Sequence, residues 1–211
     1  KTGKKTIIVG ADLRRPKIYS DFNLNNKKGI SNYVLHNLDL DQVILDSSIP
    51  NLDILVSGPL PDNPADVLLT DQFKNLIEIL KKEYDIVIID TPPKIESDAR
   101  PSIESADLVL IPVSASHVDF WATGAIVEIA KKANKKILIQ INRSSQRSKL
   151  ITKTNEFIKS LDLSATKTII GNRQIFASSM GEGKTAVEKQ KKSNAVEEIK
   201  QLSEQILSEI K

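Results

Sequence analysis

The chain has 211 residues, of which 40% are hydrophobic and 27% charged, so it can bury a substantial core and is not disordered. Its 30 basic and 27 acidic residues give a net charge of +3, too weak to indicate a nucleic-acid-binding protein by composition. The absence of cysteine excludes disulfides, cysteine-ligated zinc and a cysteine nucleophile. No apolar run could span a bilayer and no signal peptide is evident, so we expect a cytoplasmic protein without membrane insertion.

Six short apolar runs rich in β-branched residues predict strands, in chain order Thr6–Val9, Leu52–Val56, Ile86–Ile89, Leu108–Val113, Ile137–Ile141 and Thr166–Ile170. Most are continuously apolar, which is typical of strands buried on both faces. Apolar residues at helical spacing predict helices over Asp71–Glu83, Asp119–Lys132, Ser148–Leu161 and Asn194–Ile210. Strands alternating with helices predict an α/β fold, a doubly wound and mostly parallel sheet with helices on both faces.

Acidic residues follow two of the predicted strands at the point where each strand ends. Asp12 lies shortly after Thr6–Val9, and Asp90 directly follows Ile86–Ile89. Ligands of open parallel sheets bind at the carboxyl ends of the strands, so both carboxylates are expected to face one site. Such a pair can hold Mg²⁺, directly or through water, and orient an attacking water. A lone aspartate after a strand is more often a turn or capping residue, so the prediction depends on the two together.

The segment Tyr84–Pro93, Y-D-I-V-I-I-D-T-P-P, resembles the Walker B strand of the ParA/MinD superfamily of deviant P-loop ATPases. Capsule-type bacterial tyrosine kinases belong to the same superfamily. Residues 1–93 are similar to those kinases, in Ala11–Pro16, Gly29–Ser31, Asn51–Leu55 and Gly58–Ala65. Residues 84–211 are similar to ParA partition ATPases, in Ala106–Val113, Asp119–Thr123, Asn142-Arg143 and the ending Arg173–Ile199.

The resemblance implies roles for five residues in binding ATP and Mg²⁺. Asp90 matches the Walker B aspartate, which acts on Mg²⁺ through water, and Thr91 beside it is expected at the nucleotide. Asp12 matches the second aspartate of the Walker A′ motif, which positions the attacking water or assists the metal. Asn142 matches the residue that recognises adenine, and Pro112 lies where the chain passes near the base. The family usually has a further aspartate where this chain has Gly10, a departure that bears on metal binding.

The phosphate loop of the family, G-x-x-x-x-G-K-[ST] between a strand and a helix, is expected roughly two dozen residues before Asp12. Only eleven residues precede Asp12, and the chain begins at Lys1 without methionine. We therefore expect one P-loop ATPase domain over residues 1–211 that lacks its first strand and phosphate loop at the N-terminus. A second match, Ser178–Thr185 (S-S-M-G-E-G-K-T), lies too far from Asp12 for a circular permutation and precedes a polar helix. We interpret it as a turn, with a genuine loop as the alternative.

Basic residues cluster near the C-terminus, at Lys184, Lys189, Lys191 and Lys192, and Arg147 could join them. The simpler interpretation is a solvated helix face. The alternative is contact with DNA phosphates, which resembles what ParA proteins do.

The leading hypothesis is a ParA-type partition ATPase, a nucleotide-dependent homodimer that binds DNA non-specifically and responds to a ParB-like activator. The alternative is the catalytic domain of a capsule-type tyrosine kinase. Such kinases end in a tyrosine cluster, whereas the tyrosines here are Tyr19, Tyr33 and Tyr84, which favours the partition hypothesis. A third hypothesis is an inactive fragment that lacks the phosphate loop.

Overall fold

A computed structural model describes residues 3–92, 96–114, 117–145 and 149–210. The chain divides into two compact units, Lys1–Ser105 and Ala106–Lys211. Each unit combines mostly parallel strands with helices, which confirms the predicted fold class. Among the described residues, no helix is both long enough and apolar enough to cross a membrane.

The first unit is built on a four-stranded sheet in the order β2-β3-β1-β4. The central strand β1 (Thr6–Gly10) pairs in parallel with β3 (Leu52–Leu55) on one side and with β4 (Ile86–Asp90) on the other. β2 (Ile44–Ile49) runs antiparallel to β3 and was not predicted. Its apolar pattern is broken by Asp46-Ser47-Ser48, where the register shifts, so the sequence shows no continuous run there.

Helices cover this sheet and complete the core of the first unit. They are α1 (Ile18–Asp21), α2 (Ile30–His36), α3 (Pro64–Leu69), α4 (Asp71–Glu83) and α5 (Glu96–Ser105), with a 3₁₀ turn at Leu40–Gln42. α4 has the predicted bounds, because the Thr70 hydroxyl caps its first turn by accepting the Phe73 N–H at 3.2 Å. Its apolar face of Phe73, Leu76, Ile77 and Leu80 is buried in the core beside Ile7 and Val9 of β1.

The second unit contains a parallel sheet in the order β5-β6-β7, of β5 (Leu108–Val113), β6 (Lys136–Ile141) and β7 (Ser164–Ala165). Its helices are α6 (His117–Lys132), α7 (Lys149–Ser160), α8 (Gln174–Met180), α9 (Ala186–Lys189) and α10 (Asn194–Glu209). The bounds of α6, α7 and α10 lie within two residues of the predicted ones.

The predicted strand Thr166–Ile170 is wrong. The chain leaves the ladder after Ala165 because side chains take over its backbone partners. Gln140 donates from Nε2 to the Thr168 carbonyl at 3.2 Å, and the Thr166 hydroxyl donates to Gln140 Oε1 at 2.7 Å. The Thr166 N–H still donates to the Ile139 carbonyl at 2.8 Å, and the next backbone bond to β6 comes from the Ile170 N–H, which donates to the Ile141 carbonyl at 3.0 Å.

A buried ion pair ties α10 to the segment before α8. Glu198 is 5% exposed, and its carboxylate accepts hydrogen bonds from Arg173 Nη2 at 2.5 Å, Arg173 Nε at 3.1 Å and the Gly171 N–H at 3.1 Å. Burial alone would raise the pKa of Glu198, but the hydrogen bonds from Arg173 and Gly171 outweigh it and hold that pKa below its usual value. The pair therefore stabilises the second unit above the ordinary glutamate pKa of about 4.3 and less as pH falls.

We expect Arg173→Ala to lower the free energy of unfolding, because it leaves the buried Glu198 carboxylate without its cation. The loss should stay below the roughly 3–5 kcal/mol of a fully buried pair, since 30% of the Arg173 side chain is exposed. Urea unfolding at pH 7 and pH 4 measures it, and the difference from the parent should shrink at pH 4. Lys200→Ala, which breaks the exposed pair with Glu204, is the matched control and should change stability by about 0.5 kcal/mol or less. Equal losses in the two variants would contradict the assignment.

Candidate functional site

A small cleft lies at the carboxyl ends of β1 and β4 in the first unit. Gly10 and Asp90 are register partners on these strands, and the Ala11 N–H donates to the Asp90 carbonyl at 2.9 Å. The neighbouring Asp12 is thereby held beside the end of β4. The cleft is lined by Gly10, Asp12, Pro16, Lys17, Ile18, Tyr19, Ser57 and Asp90. The structure thus brings together the two aspartates that the sequence analysis paired.

Asp12 forms a turn and also lies at the cleft. Its Oδ1 accepts the backbone N–H of Arg14 at 3.1 Å and of Arg15 at 2.9 Å, which is the turn-forming role of a lone aspartate. It also lines the cleft and is only partly exposed. The turn fixes the carboxylate at this edge of the sheet, so the structural role and the functional one do not exclude each other.

Asp90 lies in an electrostatically unfavourable position. Burial of one side of its carboxyl, followed by the negative charges of Asp12 and Asp21, raises its pKa above the usual aspartate value. Asp90 is also exposed to solvent, and water around its carboxyl limits the rise in its pKa. A bound cation would relieve the repulsion between the carboxylates, so the pair suits a positively charged ligand.

The donor set fits Mg²⁺ better than a metal held wholly by the protein. Among the described residues, no group of three or more His, Cys, Asp or Glu side chains could hold a metal ion. Mg²⁺ is commonly bound by one or two carboxylates and keeps several waters, with phosphate oxygens completing its shell. Asp12 and Asp90 would supply the protein's share of such a site.

Ser57 and Tyr19 also line the cleft, and the sequence analysis did not identify them. Ser57 follows β3, so the rule that ligands bind where parallel strands end would have found it. Tyr19 lies on the short helix α1 after the Asp12 turn, and no pattern in the sequence marks it.

The other residues predicted to bind the nucleotide, Thr91, Pro112 and Asn142, are not among those that line the cleft. Thr91 follows Asp90 at the end of β4 and is partly exposed. In the second unit, Pro112 is in β5 opposite Gln140, and Asn142 lies one residue beyond β6. The Asn142 N–H donates to the Val113 carbonyl at 2.7 Å, and its Oδ1 accepts the Arg143 N–H at 2.9 Å. Pro112 and Asn142 thus lie near the carboxyl edge of their own sheet, and their contact with the adenine base stays a prediction.

The Ser178–Thr185 segment does not have the structure of a phosphate loop. It follows a helix, α8, rather than a strand, and leads into the four-residue helix α9. The N–H groups of Gly181, Glu182, Gly183 and Lys184 donate to the carbonyls of Ala177, Ser179 and Met180, at 2.9–3.1 Å. These donors cannot cradle phosphate while they close the turn. The geometry agrees with the interpretation of this segment as a turn.

The C-terminal basic cluster is partly neutralised. Lys189 pairs with Glu182, and Lys184 lies 4.0 Å from the same carboxylate. The hydrogen bond from Lys189 lowers the pKa of Glu182, and this outweighs the opposing effect of desolvation. Lys191 and Lys192 are exposed. Arg147 lies outside the described residues, so its predicted place in the cluster stays a prediction.

Comparison with known proteins identifies a matching family and relatives among bacterial tyrosine kinases. A family described as an AAA domain, AAA_31, matches residues 1–144. The tyrosine-protein kinase YwqD of Bacillus subtilis is 32% identical over 148 residues, covering 70% of this chain and 62% of that protein. A putative tyrosine-protein kinase in the cps region of Klebsiella pneumoniae is 40% identical over 92 residues, 44% of this chain and 13% of that protein. The chain therefore spans less than two thirds of the length of either relative.

Among solved structures, the septum site-determining protein MinD of Pyrococcus horikoshii, complexed with Mg-ADP, has the same fold. Its TM-score is 0.80 at 20% identity, over 97% of this chain and 84% of that one. At that identity the similarity shows the fold alone. The match over residues 1–144 shows the family, and the chain belongs to the AAA_31 family within the ParA/MinD-type P-loop ATPase superfamily, with bacterial tyrosine kinases among its relatives.

Proposed function

We propose that the chain provides the part of an ATP site that holds Mg²⁺ and orients the attacking hydroxyl in a capsule-type bacterial tyrosine kinase. The observation that carries the proposal is the Asp12–Asp90 pair, held by parallel pairing of β1 and β4 in one cleft. The similarity to kinases, through residues 1–93 and through the named relatives, favours this function over DNA partition, the leading hypothesis from sequence. No contact or charge arrangement in the described residues specifically favours DNA, since Glu182 faces the basic cluster.

Each aspartate has a distinct task in this proposal. Asp90 would accept hydrogen bonds from water molecules around Mg²⁺. Asp12 would orient the hydroxyl of the substrate tyrosine and accept its proton. The γ-phosphoryl group would pass to the tyrosine oxygen, and ADP would leave. Asn142 and Pro112 would contact the adenine base, and Thr91 would lie beside the phosphates. Magnesium supplies charge neutralisation of the phosphates when bound.

The phosphates require a loop that the described residues do not contain, and the edge of β4 offers a place for it. β4 pairs with β1 on one side, and no described residue pairs with its other side. Ile88 in this strand is 49% exposed, although its apolar run is typical of burial on both faces. A strand added in parallel would end beside Asp90. We extend the proposal accordingly: a strand, phosphate loop and helix from outside residues 1–211 occupy this edge.

The chain alone should bind Mg-ATP weakly or not at all, because Asp12, Asp90 and Asn142 leave the β- and γ-phosphates unneutralised. A loop-completed protein, in which a strand, a G-x-x-x-x-G-K-[ST] loop and a helix precede Lys1, should bind it and transfer phosphate to tyrosine. Isothermal titration and phosphotyrosine mass spectrometry measure the two properties. Low-micromolar binding by the chain alone would contradict the need for the loop. Phosphate release stimulated by DNA, without phosphotyrosine, would contradict the kinase function.

Asp90→Asn should stabilise the first unit at pH 7 while weakening Mg-nucleotide binding in the loop-completed protein. The raised pKa of Asp90 means that its charged form is less favourable in the folded than in the unfolded state. Its contribution favours folding below the unfolded aspartate pKa of about 3.9 and is lost as pH rises through the folded value. The gain should therefore be largest at neutral pH and disappear near pH 4, with about 2–4 °C in melting temperature per kcal/mol.

Thermal unfolding of the chain between pH 4 and pH 8 tests this, with Asp62→Asn, an exposed aspartate outside the cleft, as the matched control. A lower melting temperature for Asp90→Asn at pH 7 would show that the carboxylate stabilises the fold.

Lys184→Ala should leave nucleotide affinity unchanged in the loop-completed protein, because the neighbouring N–H groups already bond within their turn. Isothermal titration compares it with Asp90→Ala, which should lower affinity. Loss of ATP binding in Lys184→Ala would restore the alternative of a genuine loop at Ser178–Thr185.

A further inference from the structure

The loop that follows β3 is held by the first turn of α2 and by the segment before it. The N–H groups of Ile30 and Ser31 donate to the carbonyls of Val56 and Ser57, both at 2.9 Å. The Ser31 hydroxyl donates to the Pro59 carbonyl at 2.8 Å. Ile30 and Ser31 are the first two residues of α2, so N–H groups that lack partners within the helix are satisfied by this loop.

Asn26 makes the most extensive side-chain contact between these segments. Its Nδ2 donates to the Gly58 carbonyl at 2.7 Å, and its Oδ1 accepts the Gly58 N–H at 2.9 Å. The same Oδ1 accepts the Ser57 hydroxyl at 3.1 Å. One amide therefore satisfies both backbone groups of Gly58 and fixes the side chain of Ser57.

Beside this contact there is no room for a side chain at Gly29. A Cβ there would lie 2.2 Å from the Val56 carbonyl oxygen and 2.3 Å from the Gly58 nitrogen. Gly58 itself has φ of +79°, a conformation that disfavours other residues. The loop after β3 is therefore held in one conformation by backbone contact as well as by Asn26.

This loop forms a wall of the carboxylate cleft. Ser57 is 3% exposed and lines the cleft with Asp12 and Asp90. Its backbone nitrogen lies 3.7 Å from the position that a Cβ on Gly10 would occupy. The placement of Ser57 consequently sets how closely the wall approaches the end of β1, where the catalytic geometry is built.

We infer that Asn26 is a positioning residue of the proposed Mg-ATP site, acting through Ser57 and Gly58 on the wall of the cleft. The inference rests on the proposed function. Asn26 does not line the cleft, so its effect should be on the geometry of phosphoryl transfer rather than on binding of the nucleotide. Small displacements from outside a site can lower turnover by as much as 10²-fold.

The experiment measures kcat and KM for Mg-ATP in the loop-completed protein. Asn26→Ala should lower kcat by about 10- to 100-fold and change KM by less than about twofold. Asn26→Asp keeps both acceptor contacts but sets its second oxygen against the Gly58 carbonyl, acceptor against acceptor, so its kcat should also fall. Asn25→Ala is the matched control, because the Asn25 side chain accepts only the nearby Lys27 N–H among the hydrogen bonds that the structure describes for it, and its kinetics should equal the parent's.

The outcomes separate this inference from the proposed function. Parental kcat in folded Asn26→Ala, or a raised KM with unchanged kcat, overturns the positioning role alone. If Asn26→Ala fails to fold, parental kcat in Asn26→Asp overturns it equally. A parent that neither binds nor turns over ATP removes the proposed function and this inference with it.

Discussion

The parallel pairing of β1 with β4 is the constraint on which the candidate site depends. It aligns Gly10 with Asp90 across neighbouring strands, and Asp12 lies two residues beyond the end of β1. A one-residue slip would reverse the side-chain directions of the whole strand, so the buried Ile7 and Val9 hold the register. The same apolar residues that form the core therefore also determine where the carboxylates meet.

This arrangement makes the charged form of Asp90 less favourable. Its carboxyl is partly desolvated and faces the charge of Asp12, while Asp12 is held by two backbone N–H groups of its turn. Asp12 is thus fixed by local hydrogen bonds, whereas Asp90 has a raised pKa and would be relieved by a cation. This difference supports a division of labour in which Asp90 acts on the metal and Asp12 on the attacking group.

Much of the fold could be predicted because apolar periodicity reports burial directly. Helix α4 and strand β5 were predicted with their observed bounds, and Asp12 and Asp90 were predicted to meet. Strand β2 was not predicted because a register shift breaks its apolar pattern. The predicted strand Thr166–Ile170 was wrong because the Gln140 side chain takes the place of part of the backbone ladder. The short helices α2, α3 and α8 were missed because six or seven residues give too few apolar repeats. Asn26 could not be found, since its importance depends on a contact with residues more than thirty positions away.

The two outer edges of the first sheet differ in a way that bears on the proposal. At the β2 edge, the register shift after Asp46 and the following Pro50 discourage pairing with another strand. The β4 edge has neither feature: its pairing with β1 is regular from Ile86 to Asp90, and Ile88 is exposed in the middle. An open, regular and apolar strand edge favours aggregation when nothing covers it, because its backbone groups can pair with another chain. Such an edge is useful when another strand covers it, and a parallel strand there would deliver its carboxyl end to the aspartates. One added strand with its phosphate loop would therefore both cover the exposed apolar edge of β4 and supply the phosphate ligands that the described residues lack.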